Sequence, residues 1–369
     1  MKIYLVGGAV RDGLLGLPVQ ERDYVVVGAS EDEMLKLGYQ RVGKEFPVFL
    51  HPKTREEYAL ARMERNTAPG YKGFAFDISP KVTLEEDLLR RDLTINAMAT
   101  SDAGVLIDPY HGQSDLDHKV LRHVSPAFAE DPVRILRVGR FLARYHHLGF
   151  TVAPETKQLM RDMVAKGEVN ALVAERVWKE LERALGEKNP EKFFEILSDC
   201  NALQDLFPSL MMHSNGMQAL KNASMLTTDP AIRFAALMHE FGSPDNKYIN
   251  IICRRYRIPK AHHELAKLTA TFHTDALQAT SLSAEKLLTL FSHMDFFRRE
   301  QRFENFLTAC QAIAGNQQFD ADWLRHCAQV AKAYPVQELV AQGLNGAALA
   351  AQLKIKRCEK IAEWLQENQ

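Results

Sequence analysis

A change of hydrophobic period near residue 125 constrains this chain more than any other feature. Before it, short β-branched and aromatic runs (KIYLVGG, DYVVVG, FPVFLHP, EEYALARME and GVLIDPY) are separated by Gly, Pro and Asn, as strands are. After it, the strand pattern disappears and amphipathic helices follow one another, among them DPVRILRVGRFLARYHHLG, APETKQLMRDMVAKG, AERVWKELERALG and DPAIRFAALMHEFG. Asp131-Pro132, Asn189-Pro190 and Asp229-Pro230 each place an N-cap before a proline at the first helical position, and Gly149, Gly186 and Gly242 stand at helix ends. The fold class is therefore α+β: a head with a mixed β-sheet and helices, followed by an all-helical remainder. At 369 residues, two or three structural units are expected.

Composition excludes several classes. No apolar run approaches the roughly 20 residues that span a bilayer, so no membrane partner is expected. MKIYLVGG leads straight into a strand pattern instead of a signal peptide. The five cysteines (Cys200, Cys253, Cys310, Cys327, Cys358) are widely spaced without a CxxC pair, which fits a reducing, cytoplasmic setting. A formal net charge of -1 leaves room for a local basic face that contacts phosphates.

Four constellations carry chemistry. Glu21 and Asp23 sit two residues apart at the mouth of DYVVVG, where a strand would place both carboxylates on one face. They either hold a cation or form a solvated charged turn, and the tripeptide alone does not choose. Upstream, a strand runs into Gly7-Gly8 and then a helix with Arg11 and Asp12. That junction suits close approach of an anion, or is a plain glycine turn. In TLEEDLLRRDLTINAMA, Thr83 and Glu86 form a capping-box signature. Arg90, Arg91, Asp92 and Asn96 are expected close together on the helical turns that follow, gripping phosphate and sugar or merely pairing with each other. Finally, Arg134, Arg137, Arg140 and Arg144 recur every three or four residues with no acid between them. Four unpaired arginines repel and predict an anionic partner, the alternative being a solvated basic face. Asp131 before them is explained equally by capping. The stretch NTAPGYKGFAFDISPK, residues 66 to 81, is expected to be a long connection.

The order of these pieces matches nucleotidyl transfer, in which carboxylates hold Mg²⁺ beside a nucleoside triphosphate. GGAVRD, the ExD strand, RRDLTINA, IDPYHGQSDL, EDPVRILR and AERVWKE occur in the order found in the class II CCA-adding enzymes, the tRNA nucleotidyltransferases of the polymerase β superfamily. The chain most resembles the bacterial multifunctional CCA proteins, closely over its first two hundred residues and more loosely beyond. The resemblance implies a nucleotidyltransferase head at 1–125, a helical neck with base recognition at 126–200, and a body and tail at 201–369 that bind tRNA. It implies Glu21 and Asp23 as catalytic metal carboxylates and Mg²⁺ as cofactor. Gly8 and Arg11 would meet the triphosphate, Arg91, Arg137 and Arg140 the nucleotide, Asp92 and Asn96 its sugar and phosphates, and Asp131 with Arg134 the base. Partners would be ATP, CTP and the acceptor arm of tRNA, with CRRYRIPK (253–260) and LKIKRCEK (353–360) as candidate phosphate contacts.

Two departures stand out. The family usually has DxD where this chain has Glu21, one methylene longer. Related proteins often carry an HD phosphohydrolase domain, but FAALMHEFG with His239-Glu240, and His262, His263, His273 and His293 beyond it, do not recreate that metal set, so a degenerate HD region without phosphatase activity is expected. An A-adding or CC-adding enzyme or a poly(A) polymerase would share the motifs, although a poly(A) polymerase tends to carry a basic tail. A catalytically decayed RNA-binding protein and, more remotely, a metal-dependent phosphohydrolase are the readings from other classes.

Overall fold

Strands β1 (Lys2–Val6) and β2 (Asp23–Val27) pair antiparallel, with Val6 opposite Asp23 and Lys2 opposite Val27. The computed structural model describes residues 1–42, 48–66, 74–77 and 79–368. Around the first pair lie β3 (Gln40–Arg41), β4 (Val48–Leu50), β5 (Glu57–Leu60), β6 (Met63–Asn66), β7 (Phe74–Asp77), β8 (Ala99–Ser101) and β9 (Leu106–Ile107). Seven of them form one sheet in the order β3-β4-β5-β2-β1-β8-β9, in which only β2 and β5 run parallel.

The run DYVVV is apolar on successive residues because both faces of this sheet are covered. Val25 faces a core with Val6, Leu84, Leu88, Ala97 and Ala99, while Val26 faces another with Met34, Phe49, Tyr58 and Leu60. Phe49 is fully buried there, worth about 1.5–3 kcal/mol of transfer free energy. Asp23, two residues before Val25, shares its face, so the polypeptide from residue 84 to 99 is packed on the side of the sheet to which Asp23 points.

Helices α1 (Gly8–Leu14), α2 (Glu31–Lys36), α3 (Leu84–Leu89) and α4 (Gly112–Asp117) complete the head. The capping box expected at Thr83 is formed: Thr83 Oγ1 accepts from the Glu86 N–H at 3.2 Å, and Glu86 Oε2 accepts from the Thr83 N–H at 2.8 Å. There α3 ends at Leu89, so Arg91 and Asp92 lie beyond it and Asn96 sits in a separate 3₁₀ turn, Thr94–Asn96, not on continuing helix. Of the connection expected at 66 to 81, Asn66 and Phe74–Asp77 are instead paired strand; residues 67–73 and 78 lie outside the described residues.

The helical part comprises α5 (Val133–Tyr145), α6 (Pro154–Ala165), α7 (Ala174–Gly186), α8 (Glu191–Asp199) and α9 (Leu203–Leu206), then α10 (Asn215–Leu226), α11 (Pro230–Met238), α12 (Lys247–Arg255), α13 (Lys260–Leu277), α14 (Ala284–His293), α15 (Glu300–Ala314), α16 (Ala321–Lys332), α17 (Val336–Ala341) and α18 (Gly346–Glu367). It is not wholly free of strand: β10 (Val120–Leu121) pairs in parallel with β11 (Thr151–Val152), a two-residue ladder too short to show period-2 alternation. The Asp229 cap is present, accepting from the Ala231 N–H at 2.7 Å. At the start of α5 the cap comes one residue early: Asp131 Oδ1 accepts from the Val133 N–H at 3.2 Å and Pro132 occupies the N-cap position.

Contacts divide the chain into two units, Met1–Ala184 with Lys192–Ser209, and Leu185–Glu191 with Leu210–Gln369. In the second, α10, α11 and α15 pack closely through Ala219, Ala223, Ala236 and Ala312. A Cβ at Gly216 of α10 would stand 2.2 Å from the Leu237 carbonyl oxygen, so no side chain fits there. Arg233 of α11 is fully buried and donates to the carbonyl oxygens of Thr227, Ser224, Leu185 and Glu187. No helix among the described residues is long and apolar enough to cross a membrane.

Candidate active site

Within the first unit, a cavity of about 480 Å³ is lined by ten of the eleven residues to which the resemblance gives a role: Gly8, Arg11, Asp23, Arg91, Asp92, Asn96, Asp131, Arg134, Arg137 and Arg140. Gly7, Arg62, Arg90, Arg176 and Arg183 complete its wall. Glu21 is the exception. It is exposed, precedes β2 instead of sharing a strand face with Asp23, and lines an adjoining cavity with Asp23, Glu56 and Glu57. Glu57 is opposite Asp23 in the parallel pair and therefore on the same side of the sheet. Its stretch, EEYALARME, is an expected strand, but only the pairing of β2 with β5 brings Glu57 beside Asp23.

Desolvation raises the Asp23 carboxyl above its ordinary value; Arg91 opposes this and the charge of Glu21 adds to it. Asp23 is exposed at the mouth of β2, as Glu21 is, so the desolvation is partial; a carboxylate raised in this way beside a like charge is one that a cation would relieve. All-oxygen donors suit a hard divalent ion. Among the described residues no three His, Cys, Asp or Glu side chains form a ready-made metal cage.

The glycine at position 7 is required by its backbone conformation, and Arg91 crowds it further. Gly7 has φ +67°, and a Cβ there would lie 2.8 Å from Arg91 Nη1. Arg91 also donates to the Asn96 carbonyl oxygen at 3.3 Å and to Asp87 at 3.2 Å, while its Nε is buried with no partner. Arg90 reaches the same Asp87 at 2.6 Å. Burial alone would raise the Asp87 carboxyl, but the charges of Arg90 and Arg91 hold it below its ordinary value.

A continuous polar chain crosses the cavity wall. The Tyr145 hydroxyl donates to Asp12 at 2.8 Å, and Arg11 Nε donates to the same carboxylate at 2.9 Å. Arg11 continues to Asn96 Oδ1, and Asn96 Nδ2 donates to Asp92 Oδ1 at 2.9 Å. Arg137 Nε donates to Asp92 Oδ2 at 2.7 Å, and Arg140 Nε to Glu180 at 2.6 Å, with Glu180 3.8 Å from Arg137. Despite its burial, Asp92 is held well below the ordinary carboxylate range, chiefly by the charge of Arg137 and by the Asn96 and Arg137 hydrogen bonds.

The expectation of four unpaired arginines on α5 is thereby corrected. Arg137 pairs with Asp92, Arg140 with Glu180 and Arg144 with Asp12 at 3.2 Å, while Arg134 donates to the carbonyl oxygens of Ala127 and Arg90, each at 2.7 Å. Their partners come from elsewhere in the chain, where spacing along one helix cannot see them. Two such residues were missed individually, both from AERVWKE: Glu180, and Arg176, which grips Asp131 with Nη1 to Oδ1 at 3.0 Å and Nη2 to Oδ2 at 2.6 Å. They lie four residues apart on α7 and so share one face, a spacing that could have flagged them. Even so, the wall holds nine arginines against three aspartates, which suits a ligand with several negative charges.

Residues 3–122 match the family model "Poly A polymerase head domain", and residues 149–213 the model "Probable RNA and SrmB- binding site of polymerase A". The Multifunctional CCA protein of Thioalkalivibrio sulfidiphilus is 50% identical, covering 99% of this chain and 100% of that one. The CCA-adding enzyme of Pseudomonas putida is 52% identical over 98% of each. The chain belongs to the CCA-adding enzyme family. It is accordingly an enzyme of nucleotidyl transfer, and the family relies on a divalent metal. The fold agrees: the Thermotoga maritima CCA-adding enzyme complexed with tRNA_CCA superposes with a TM-score of 0.70 at 22% identity, covering 100% of this chain and 91% of that one. A CCA-adding enzyme in apo form II gives 0.72 at 23% identity, covering 100% and 92%.

In the second unit, His239 is buried, its Nδ1 2.7 Å from the Ala236 carbonyl oxygen and its ring edge-on to His273 at 5.0 Å; burial pushes its pKa down. Of the basic segments, Arg254, Arg255, Arg257 and Lys260 are exposed, whereas Lys356 and Lys360 pair with Glu359 and Glu363 along α18.

Proposed function

We propose that this chain adds CMP and AMP from CTP and ATP to the 3′ end of tRNA, without a nucleic-acid template, building or repairing the CCA terminus and releasing pyrophosphate. The observation that carries this reading is the convergence of the glycine junction, Asp23 and the arginines of five separate segments on one cavity. In this reading Glu21 and Asp23 would hold Mg²⁺, which supplies positive charge to the reacting phosphate and lowers the cost of ionising the attacking hydroxyl.

The chain's own residues do the rest. The backbone at Gly8, with Arg11 and Arg91, holds the triphosphate. Arg137 and Arg140, fixed by Asp92 and Glu180, add charge that is already oriented when the nucleotide arrives, and preorganised charge requires little rearrangement during reaction. Asp92 and Asn96 face the sugar. The terminal ribose hydroxyl of tRNA attacks the α-phosphate, the bond to the β-phosphate oxygen breaks, and pyrophosphate leaves.

Base choice rests on Asp131 and Arg134. Cytosine and adenine each present an amino donor beside a ring-nitrogen acceptor, matching one carboxylate and one guanidinium. Arg134 is held in place by its bonds to the carbonyl oxygens of Ala127 and Arg90. Guanine and uracil would set a carbonyl oxygen against Asp131 and leave two acceptors unmatched. Residues 1–125 serve as the catalytic head, 126–200 as the neck, and 201–369 as the helical body and tail that holds the acceptor arm by shape and phosphate contact. Free, mostly buried cysteines support a cytoplasmic setting.

The test uses purified protein, Mg²⁺ and three tRNA transcripts ending before the first C, after CC and after CCA, with labelled CTP or ATP at single-nucleotide resolution. Addition of C, C and A in turn followed by arrest is the expected result. Addition of only A or only C, or of none, overturns it. The same reactions, scored for inorganic phosphate, are expected to show no Ni²⁺- or Mg²⁺-stimulated phosphatase.

A further inference from the structure

We propose that Arg176 is a displaceable latch on Asp131: it competes with the incoming nucleobase for that carboxylate, and only a base carrying an amino group can replace it. The inference rests on the reading that Asp131 faces the base, and it deepens that reading.

The argument starts from what Asp131 already holds. Its Oδ1 accepts from the Val133 N–H at 3.2 Å and from Arg176 Nη1 at 3.0 Å, and its Oδ2 accepts from Arg176 Nη2 at 2.6 Å. The two guanidinium bonds run side by side, so the planar fork covers the edge of the carboxylate that a coplanar base would need. Oδ2 accepts only one bond and keeps an outer acceptor site, but a cytosine or adenine amino group that takes the edge spanning both oxygens replaces at least one Arg176 N–H, and that edge is where the base is read. The exchange is donor for donor, so no carboxylate oxygen is stranded. Uracil or guanine would bring a carbonyl oxygen to the same place, and the carboxylate would lose a donor and gain none. Arg176 thus remains on Asp131 when the base is wrong.

Two further observations make the latch releasable. The Arg176 and Asp131 side chains retain 29% and 18% of their exposure, so water assists separation of the pair. Arg176 and Arg183 both line the cavity from α7, so the released guanidinium remains within the same anion-binding space. Reading an amino group on the base would therefore free one positive charge for the phosphates.

The competition is measured with neutral nucleosides, which carry no phosphates to respond to the lost charge. Binding of cytidine, adenosine and uridine is compared in the full-length wild type, R176M, R176K and D131A. R176M keeps the length of the side chain and removes its donors. It is expected to bind cytidine and adenosine about three- to fivefold more tightly, the scale of a partly exposed charge pair, and uridine as the wild type does. R176K, with a single smaller donor head, falls between the two and carries the test if R176M does not fold. Cytidine binding that is unchanged or weaker in both Arg176 variants overturns the latch, since a purely phosphate-binding or structural arginine predicts that sign. D131A separates the two levels. Loss of the cytidine preference over uridine in D131A, with unchanged Arg176 variants, sinks the latch alone, whereas a preference that survives D131A removes Asp131 from base reading and the latch with it.

Discussion

Replacing Asp92 with asparagine removes the charge at the centre of the polar chain while keeping its size. Asparagine still offers an oxygen to the Leu93 N–H and to Asn96, both 2.9 Å from Asp92 Oδ1 in the native protein. What is lost is the charge-assisted bond to Arg137 Nε at 2.7 Å. Such a bond contributes about 1.5–3 kcal/mol. The Arg137 side chain is 34% exposed and 3.8 Å from Glu180, so water and Glu180 recover part of its solvation. The expected cost is therefore about 1.5–2 kcal/mol, below the 3–5 kcal/mol for stranding a fully buried charge. With a urea dependence of about 1–3 kcal/mol per molar, the midpoint falls by roughly 1 M. Trp178, buried in the first unit, reports the transition once Trp323 and Trp364 are replaced by phenylalanine. The pH dependence has a defined sign. Because the folded-state Asp92 pKa is depressed, its contribution is complete above the unfolded value of about 3.9 and is lost as pH falls through the folded value. The gap between wild type and Asp92→Asn should hold from pH 5 to 8 and narrow below about pH 4. A gap under about 0.5 kcal/mol at pH 7, or one that widens in acid, refutes the reasoning.

Three further outcomes are expected. Gly7→Ala drives a Cβ against Arg91 and strains a residue at φ +67°, costing about 1–2 kcal/mol and raising KM for CTP more than it lowers kcat; unchanged steady-state kinetics would contradict the packing argument. Glu21→Asp shortens the exposed carboxylate and should shift the Mg²⁺ concentration giving half-maximal rate, so a superimposable Mg²⁺ titration removes Glu21 as a ligand. Arg233→Met strips four carbonyl oxygens of their buried donor and should destabilise the second unit by about 2–4 kcal/mol, read from the emission of Trp323 and Trp364, whose rings lie 5.1 Å apart; a loss under about 1 kcal/mol makes the clamp unimportant.

The helices and their starts were legible because their signals are local. Apolar spacing on α5 and α7, the Thr83–Glu86 box and the Asp229 cap each depend on residues within a turn or two. The strands were legible where five residues alternate or run apolar, as in β1 and β2. They were hidden in β8, β10 and β11, where two or three residues depend on a neighbouring strand for their hydrogen bonds.

The sequence by itself determined which residue types come in which order: a carboxylate pair, a glycine junction and a set of arginines, with Glu21 of the pair lying outside the cavity wall. Only the tertiary structure decided their electrostatic state. Asp92 meets Arg137 across 45 residues, Glu180 meets Arg140 across 40, Arg176 meets Asp131 across 45 and Arg144 meets Asp12 across 132. Periodicity along one helix governs who neighbours whom only within that helix, whereas Coulomb attraction in a partly buried cavity depends on distance through space. A stripe that is bare cation in sequence is thus, once folded, a row of oriented and partly neutralised donors.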